Sequence, residues 1–200
     1  MGKIHNGKLL YHLTKLSNLD SIIENGLVSR RILLDNSAGF DDVADPAIMS
    51  KRTELGLDEY VPFHFHPYSS FDVAVKNTYR DDDFIYICIY RQLAKDNDFV
   101  IVPRHPLNSF HVELLSYEDG FEAIDWESME RSSTESDYIH DVRMAECLTN
   151  KVIPVNCFQS IAVKDESIQE IVEAKLRKYD GKIPHVNIRP WLNIDDRRVW

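Results

Sequence analysis

Residues 10–29, LYHLTKLSNLDSIIENGLVS, decide how the rest of the chain is read. With Leu9 ahead of them, residues 9–13 are apolar and aromatic with one histidine inside, which predicts a short strand. Ser17 stands where a helix N-cap would, with Asp20 three residues on in place of the Glu or Gln of a capping box. Leu19, Ile22 and Ile23 follow at helical spacing, and Asn25-Gly26 marks the end of the helix. A strand that delivers a histidine to the start of a capped helix makes a ligand-binding corner. On chemistry alone, His12 reads more often as a core histidine bonded to backbone.

Outward from this corner, residues 84–90, FIYICIY, form the strongest strand of the chain, a continuous β-branched and aromatic run. Weaker strands are expected at the end of 58–65 and over 99–102, 141–148, 161–163 and 186–188. Pro62 restricts its strand to an edge, a strand start or a bulge. Residues 30–50 read as loop with a helical turn near 46–49. Short helices are expected at 71–76 and 92–96, and helix and loop over 117–139. A helix at 167–179 presents Ile168, Ile171, Val172 and Leu176 on one face. Residues 109–115 are readable as helix or strand, and residues 193–200 as a charged tail. Short strands interspersed with helices make the chain α+β.

Composition narrows the class. Two hundred residues at 44% hydrophobic suffice for one domain, residues 1–200, with a sizeable core. Seven glycines and eight prolines leave no obvious linker. The chain has no apolar run long enough to span a bilayer, and MGKIHNGKLL has no signal-peptide hydrophobic region, which points to the cytoplasm. Cys88, Cys147 and Cys157 lack CxxC spacing and are expected to be free thiols, the first two buried. His64 and His66 form an HxH pair, but further ligands at a recognisable metal-site spacing are missing, so no metal is expected. A net charge of −10 sits awkwardly with nucleic-acid binding, which then has to rest on a local basic groove and base stacking.

Three motifs in order carry a family resemblance. The first is Tyr11-His12-Leu13-Thr14 with Leu16, Asn18-Leu19, Ile22 and Asn25-Gly26-Leu27. The second is Arg52 followed by Glu59-Tyr60-Val61-Pro62-Phe63-His64-Phe65. The third is Arg143-Met144-Ala145-Glu146-Cys147-Leu148. Read alone, Arg52 is an ordinary surface arginine. Glu146, an ionisable residue in an apolar run, either faces solvent from an edge strand or lines a cleft. Together the motifs resemble the DarT family, the DNA ADP-ribosyltransferase toxins of bacterial toxin–antitoxin pairs.

The resemblance implies an ADP-ribosyltransferase-like fold, a central mixed or antiparallel sheet with flanking helices. It implies an enzyme, a pentosyl transferase that consumes NAD+ and attaches ADP-ribose to a base of single-stranded DNA. Glu146 and Arg52 would be catalytic, the glutamate holding the ribose and stabilising its cation, the arginine pairing with the diphosphate or activating the base. His12 and Thr14 would contact the ribose and nicotinamide, with Asn18 and Leu27 on the adenosine side. A macrodomain antitoxin that reverses the modification is the implied partner.

After the PFHF strand, residues 66–75, HPYSSFDVAV, depart from the Pro-Arg-Ser-Pro-Met-like loop of many thymidine-modifying members. That leaves thymine and guanine both open as the base. His64, His66, Tyr68 and Phe71 are candidates to stack on or read it. The same fold acting on RNA or protein, or a module that binds without turnover, remains an alternative.

Overall fold

The expected strands assemble into one sheet in the computed structural model, which describes residues 4–35, 41, 45–108 and 112–189. In chain order the strands are β1 (Leu9–Lys15), β2 (Val61–His64), β3 (Phe84–Tyr90), β4 (Val100–Val102), β5 (Glu146–Thr149), β6 (Ser160–Val163) and β7 (His185–Ile188). The helices are α1 (Leu19–Asn25), α2 (Arg30–Asp35), α3 (Pro46–Glu54), α4 (Ser70–Thr78), α5 (Arg91–Asp96), α6 (Tyr117–Ala123), α7 (Trp126–Met129), α8 (Asp137–Arg143) and α9 (Glu166–Leu176). The sheet order is β4-β5-β2-β1-β3-β6-β7, a mixed sheet in an α+β chain.

All neighbours are antiparallel except β6 and β7, whose parallel pairing needs a crossover, and α9 supplies it. Along α9, Ile168, Val172 and Leu176 are buried at four-residue spacing, while Ile171 falls off that seam and is 43% exposed. The run 84–90 is apolar throughout because both faces of β3 are covered. Ile85, Ile87 and Ile89 join Leu10, Leu19 and Phe63 in the main core. Phe84, Tyr86 and Cys88 pack with Leu13 and with Val75 of α4 on the other face. Cys88 and Cys147 are buried free thiols, and burial pushes the Cys88 thiol up to about 12.

β1 pairs with β3 along its whole length, from Leu9–Tyr90 to Lys15–Phe84. With β2 it shares only the pair Tyr11–His64. The sheet is therefore two half-sheets, β4-β5-β2 and β1-β3-β6-β7, joined at one point. Pro62 occupies the second position of β2, inside the sheet, where β1 has already diverged and no long ladder needs its missing N–H.

Four expectations need correction. Residues 30–35, read as the start of a loop, form α2. A single 3-10 turn (Leu16–Asn18) intervenes before α1, so the N-cap is Asn18, without a side-chain cap bond, and Ser17 makes no capping box. Ser17 Oγ donates instead to Asp41 Oδ2 at 2.5 Å, and Asp20 pairs with Lys175 of α9. The strand expected over 141–148 is shared between two elements. Ser136 Oγ accepts from the Ile139 N–H and caps α8, which runs to Arg143, and β5 starts only at Glu146. The turn near 46–49 is the first part of α3, which carries on to Glu54 from Asp45, whose Oδ1 accepts from the Ala47 N–H at 2.8 Å. Residues 36–40 and 42–44 of the expected loop, 109–111 of the ambiguous segment and the tail 193–200 lie outside the described residues.

Candidate active site

Where β1 and β2 diverge, a cavity of about 440 Å³ opens between the half-sheets, within the size range of small-molecule sites. β5, paired to β2 with Glu146 opposite His64, brings Glu146 to its wall. α3, one element upstream of β2, brings Arg52. The two meet as a fork, Arg52 Nη1 donating to Glu146 Oε1 at 2.9 Å and Nη2 to Oε2 at 3.0 Å. Glu146 is 4% exposed, so it lines a cleft and does not face solvent.

Burial by itself would raise the Glu146 pKa. The Arg52 charge and its hydrogen bonds outweigh burial, with smaller contributions from His64 and His105, and hold the carboxyl below the ordinary glutamate range. An ionised carboxylate is thus kept almost wholly buried on the cavity wall, where a fixed negative charge can stabilise a developing positive one.

His12, on β1, donates from Nδ1 to the Pro62 carbonyl at 2.8 Å, because a carbonyl can only accept. Burial lowers its pKa, against the pull of that bond and of Asp72. The ring is therefore neutral, with Nε2 as an acceptor. The ring is bonded to backbone and also stands on the cavity wall. Asn18 Nδ2 donates to Thr14 Oγ1 at 3.2 Å and to the Asp41 carbonyl at 3.1 Å, and its Oδ1 accepts from the Asp41 N–H at 2.8 Å. Thr14, Asn18 and Leu27 all line the cavity. Leu27 is fixed by a backbone bridge to Ile153.

Among the base-reading candidates, His64 and Phe71 line the cavity, and His66 and Tyr68 do not. His64 Nδ1 donates to the Ala145 carbonyl at 3.3 Å, beside Glu146. His66 is buried behind the strand, its Nδ1 2.9 Å from the Pro67 carbonyl and its Nε2 3.1 Å from the Arg143 carbonyl. Burial and the nearby Arg143 guanidinium lower its pKa to about 4. Arg143 itself turns away from Glu146, its Nη1 donating to the Met129 and Arg131 carbonyls at 2.6 and 2.8 Å.

Sequence reasoning missed His105, His140, Asp58 and Asp72 on the cavity wall. His105 Nδ1 accepts from the Leu107 N–H at 3.1 Å, so its proton sits on Nε2, and its ring stacks on His140 at 6.0 Å. Its one signal is a histidine between Pro103 and Pro106 in an otherwise plain turn. Asp58 receives Arg31 through its Oδ2, at 3.0 Å from Nε and 2.9 Å from Nη2. Next to His105 in the chain, Arg104 lies over the ring of Tyr138 at 5.3 Å, and Tyr138 is 46% exposed. Among the described residues no group of side chains could hold a metal ion.

The chain is similar to proteins of one family. A profile of the family described as "ssDNA thymidine ADP-ribosyltransferase, DarT" matches residues 11–194. A DNA ADP-ribosyl transferase of Thermus aquaticus is 25% identical over 195 residues, covering 90% of this chain and 86% of its own. The structure of DarT from Thermus sp. 2.9 in complex with ADP-ribosylated ssDNA superposes with a TM-score of 0.79 at 21% identity, covering 92% of this chain and 95% of the other. The same protein in complex with NAD+ superposes at 0.75 and 20% identity, over 94% and 98% of the two chains. These superpositions show the same fold.

Proposed function

The chain belongs to the DarT family of ssDNA thymidine ADP-ribosyltransferases, and from that premise we propose that its cavity takes NAD+ as substrate and transfers ADP-ribose to thymidine in single-stranded DNA. The observation that carries this reading is the Arg52–Glu146 fork, formed by residues 94 apart in sequence on the wall of a cavity that His12, Thr14 and Asn18 also line. In the reaction the bond between the nicotinamide nitrogen and the ribose carbon breaks, and a ring nitrogen of the base bonds to that carbon. Nicotinamide leaves as a neutral molecule, so no general acid is needed.

The ionised Glu146 carboxylate opposes the positive charge that develops on the sugar and accepts from a ribose hydroxyl. Arg52 holds both carboxylate oxygens in one plane and leaves its remaining donors for phosphate oxygens. The neutral His12 offers an acceptor at Nε2, and Thr14 and Asn18 offer hydroxyl and amide groups to the same substrate. In thymidine the one ring nitrogen not bonded to the sugar carries a proton. The acceptor proposed for it is Glu146. A duplex hides that nitrogen, which favours unpaired strands. Phe71, His64, His105 and His140 on the cavity wall supply stacking and local contacts despite the chain's net charge of −10. A macrodomain antitoxin that removes the adduct belongs to the same proposal.

One observation keeps guanine as a second reading: residues 66–75 depart from the loop of many thymidine-modifying members. Intact-mass measurement on oligonucleotides that each lack one base, incubated with the protein and NAD+, separates the two. An adduct of one ADP-ribose lost only without T supports thymidine, and loss only without G supports guanine. Adducts on RNA or protein but on no DNA strand would remove the DNA assignment.

A further inference from the structure

Beneath the loop that joins β2 to α4 lies a buried cluster that the reaction as proposed does not use. Lys76 is 3% exposed, and its Nζ finds no hydrogen-bond partner among the described residues. It lies over the rings of Tyr68 and Tyr86, at 4.7 and 4.8 Å from their centroids. One turn earlier on the same face of α4, Asp72 is 1% exposed. Its Oδ2 accepts from the Tyr86 hydroxyl at 2.8 Å and from the Ser69 N–H at 3.0 Å, and its Oδ1 has no partner among the described residues. The Tyr86 oxygen in turn accepts from the Tyr68 N–H at 3.3 Å. Tyr68 is held at φ 67°, in the left-handed region that side-chain-bearing residues rarely adopt.

Each of these features lowers stability: a buried ammonium and a buried carboxyl oxygen without hydrogen bonds, and a strained tyrosine. Burial pushes the Lys76 pKa down to about 8, with Asp72 opposing. All of it converges on Tyr68 and Ser69, the loop residues just ahead of Phe71, which lines the cavity. A volume that served stability alone would be filled by apolar side chains. Local costs of this kind persist where function requires them.

We propose that Lys76 and Asp72 are positioning residues for the nucleic-acid side of the site: they lock Tyr68 and Ser69 from below and so fix where Phe71 stands in the cavity. The inference rests on the DNA-modifying reading given above. His12, Thr14 and Asn18 are held by β1 and the segment entering α1, and Lys76 does not line the cavity, so removing the Lys76 charge leaves NAD+ binding in place.

Lys76→Met keeps the stem and removes the charge. The test compares wild type and K76M in steady-state transfer to a single-stranded oligonucleotide, with NAD+ affinity from calorimetry and Tm from circular dichroism. The KM for the oligonucleotide is expected to rise at least about five-fold while the NAD+ Kd stays within about two-fold and Tm does not fall. An unchanged oligonucleotide KM overturns the inference. A joint fall in NAD+ affinity and Tm, which a merely structural lysine would give, overturns it as well. If K76M does not fold, Lys76→Gln is judged by the same criteria, and failure of both to fold makes the cluster a folding requirement and ends the proposal. Wild type that modifies no single strand overturns the DNA reading and this one together, whereas active wild type with an unchanged variant KM overturns this one alone.

Discussion

At Glu146 a single side chain carries two opposed effects, burial that disfavours its charge and a guanidinium fork that favours it, and the fork wins. Glu146→Gln keeps an acceptor for Arg52 but removes the charge. Transfer is expected to fall by about 10²–10³-fold, the cost of losing one preorganised electrostatic stabiliser, with the variant still folded. Single-turnover kinetics beside a melting curve check this, and a fully active E146Q would sink the assignment. His66 makes the opposite bargain with pH. Its folded pKa of about 4 lies below the ordinary histidine value of 6.5, so between the two the unfolded chain binds a proton that the folded chain refuses. Stability is complete above about pH 6.5 and falls toward pH 4 by up to ~1.4 kcal/mol per unit, His12 adding in the same sense. Tm measured from pH 7 to 4.5 should drop on this slope, and His66→Asn should flatten it.

At the scale of elements, the turn after α1 shows how a local signal serves the site. Gly26 ends the helix at φ 78° and ψ 173°, a region nearly reserved for glycine. An added Cβ would stand 2.8 Å from Val152 Cγ1 and 3.1 Å from the Ile153 carbonyl that Leu27 uses for its bridge. Gly26→Ala should therefore cost ~1–3 kcal/mol, lowering Tm by about 3 °C or more. It should weaken NAD+ binding too, because Leu27 lines the cavity. An unchanged Tm would show that the turn relaxes freely. Elements set by local pattern were legible from the sequence: β3 from its continuous apolar run, α4 near 71–76, and α9 from its periodic face. The boundary between α8 and β5 was not, because Val142 is buried in the helix as it would be in a strand, and alternation through Met144 reads equally as either. Ser17 failed as a cap because Asp41, distant in sequence, took its hydroxyl.

For the molecule as a whole, an acidic chain of net charge −10 must hold DNA with few phosphate contacts. The dependence of log K on log salt should be shallow, with a slope of about −2 or less in magnitude at roughly −0.7 per single-strand phosphate contact. Fluorescence anisotropy across a salt series measures it, and a slope beyond about −4 would show more phosphate contacts than this charge predicts.

By itself the sequence determined the α+β class, the strongest strand and the family, because apolar periodicity and short motifs are local properties carried by adjacent residues. Eight of its ten candidate site residues line the cavity: His12, Thr14, Asn18, Leu27, Arg52, His64, Phe71 and Glu146. Only the tertiary structure decided that Arg52 and Glu146 form one fork, that His66 and Tyr68 stand outside the cavity, and that His105 and His140 stand on its wall. Those facts depend on where two half-sheets joined at a single residue pair part from each other, and on which buried charges find partners across that gap. Neither is written in the spacing of neighbours along the chain.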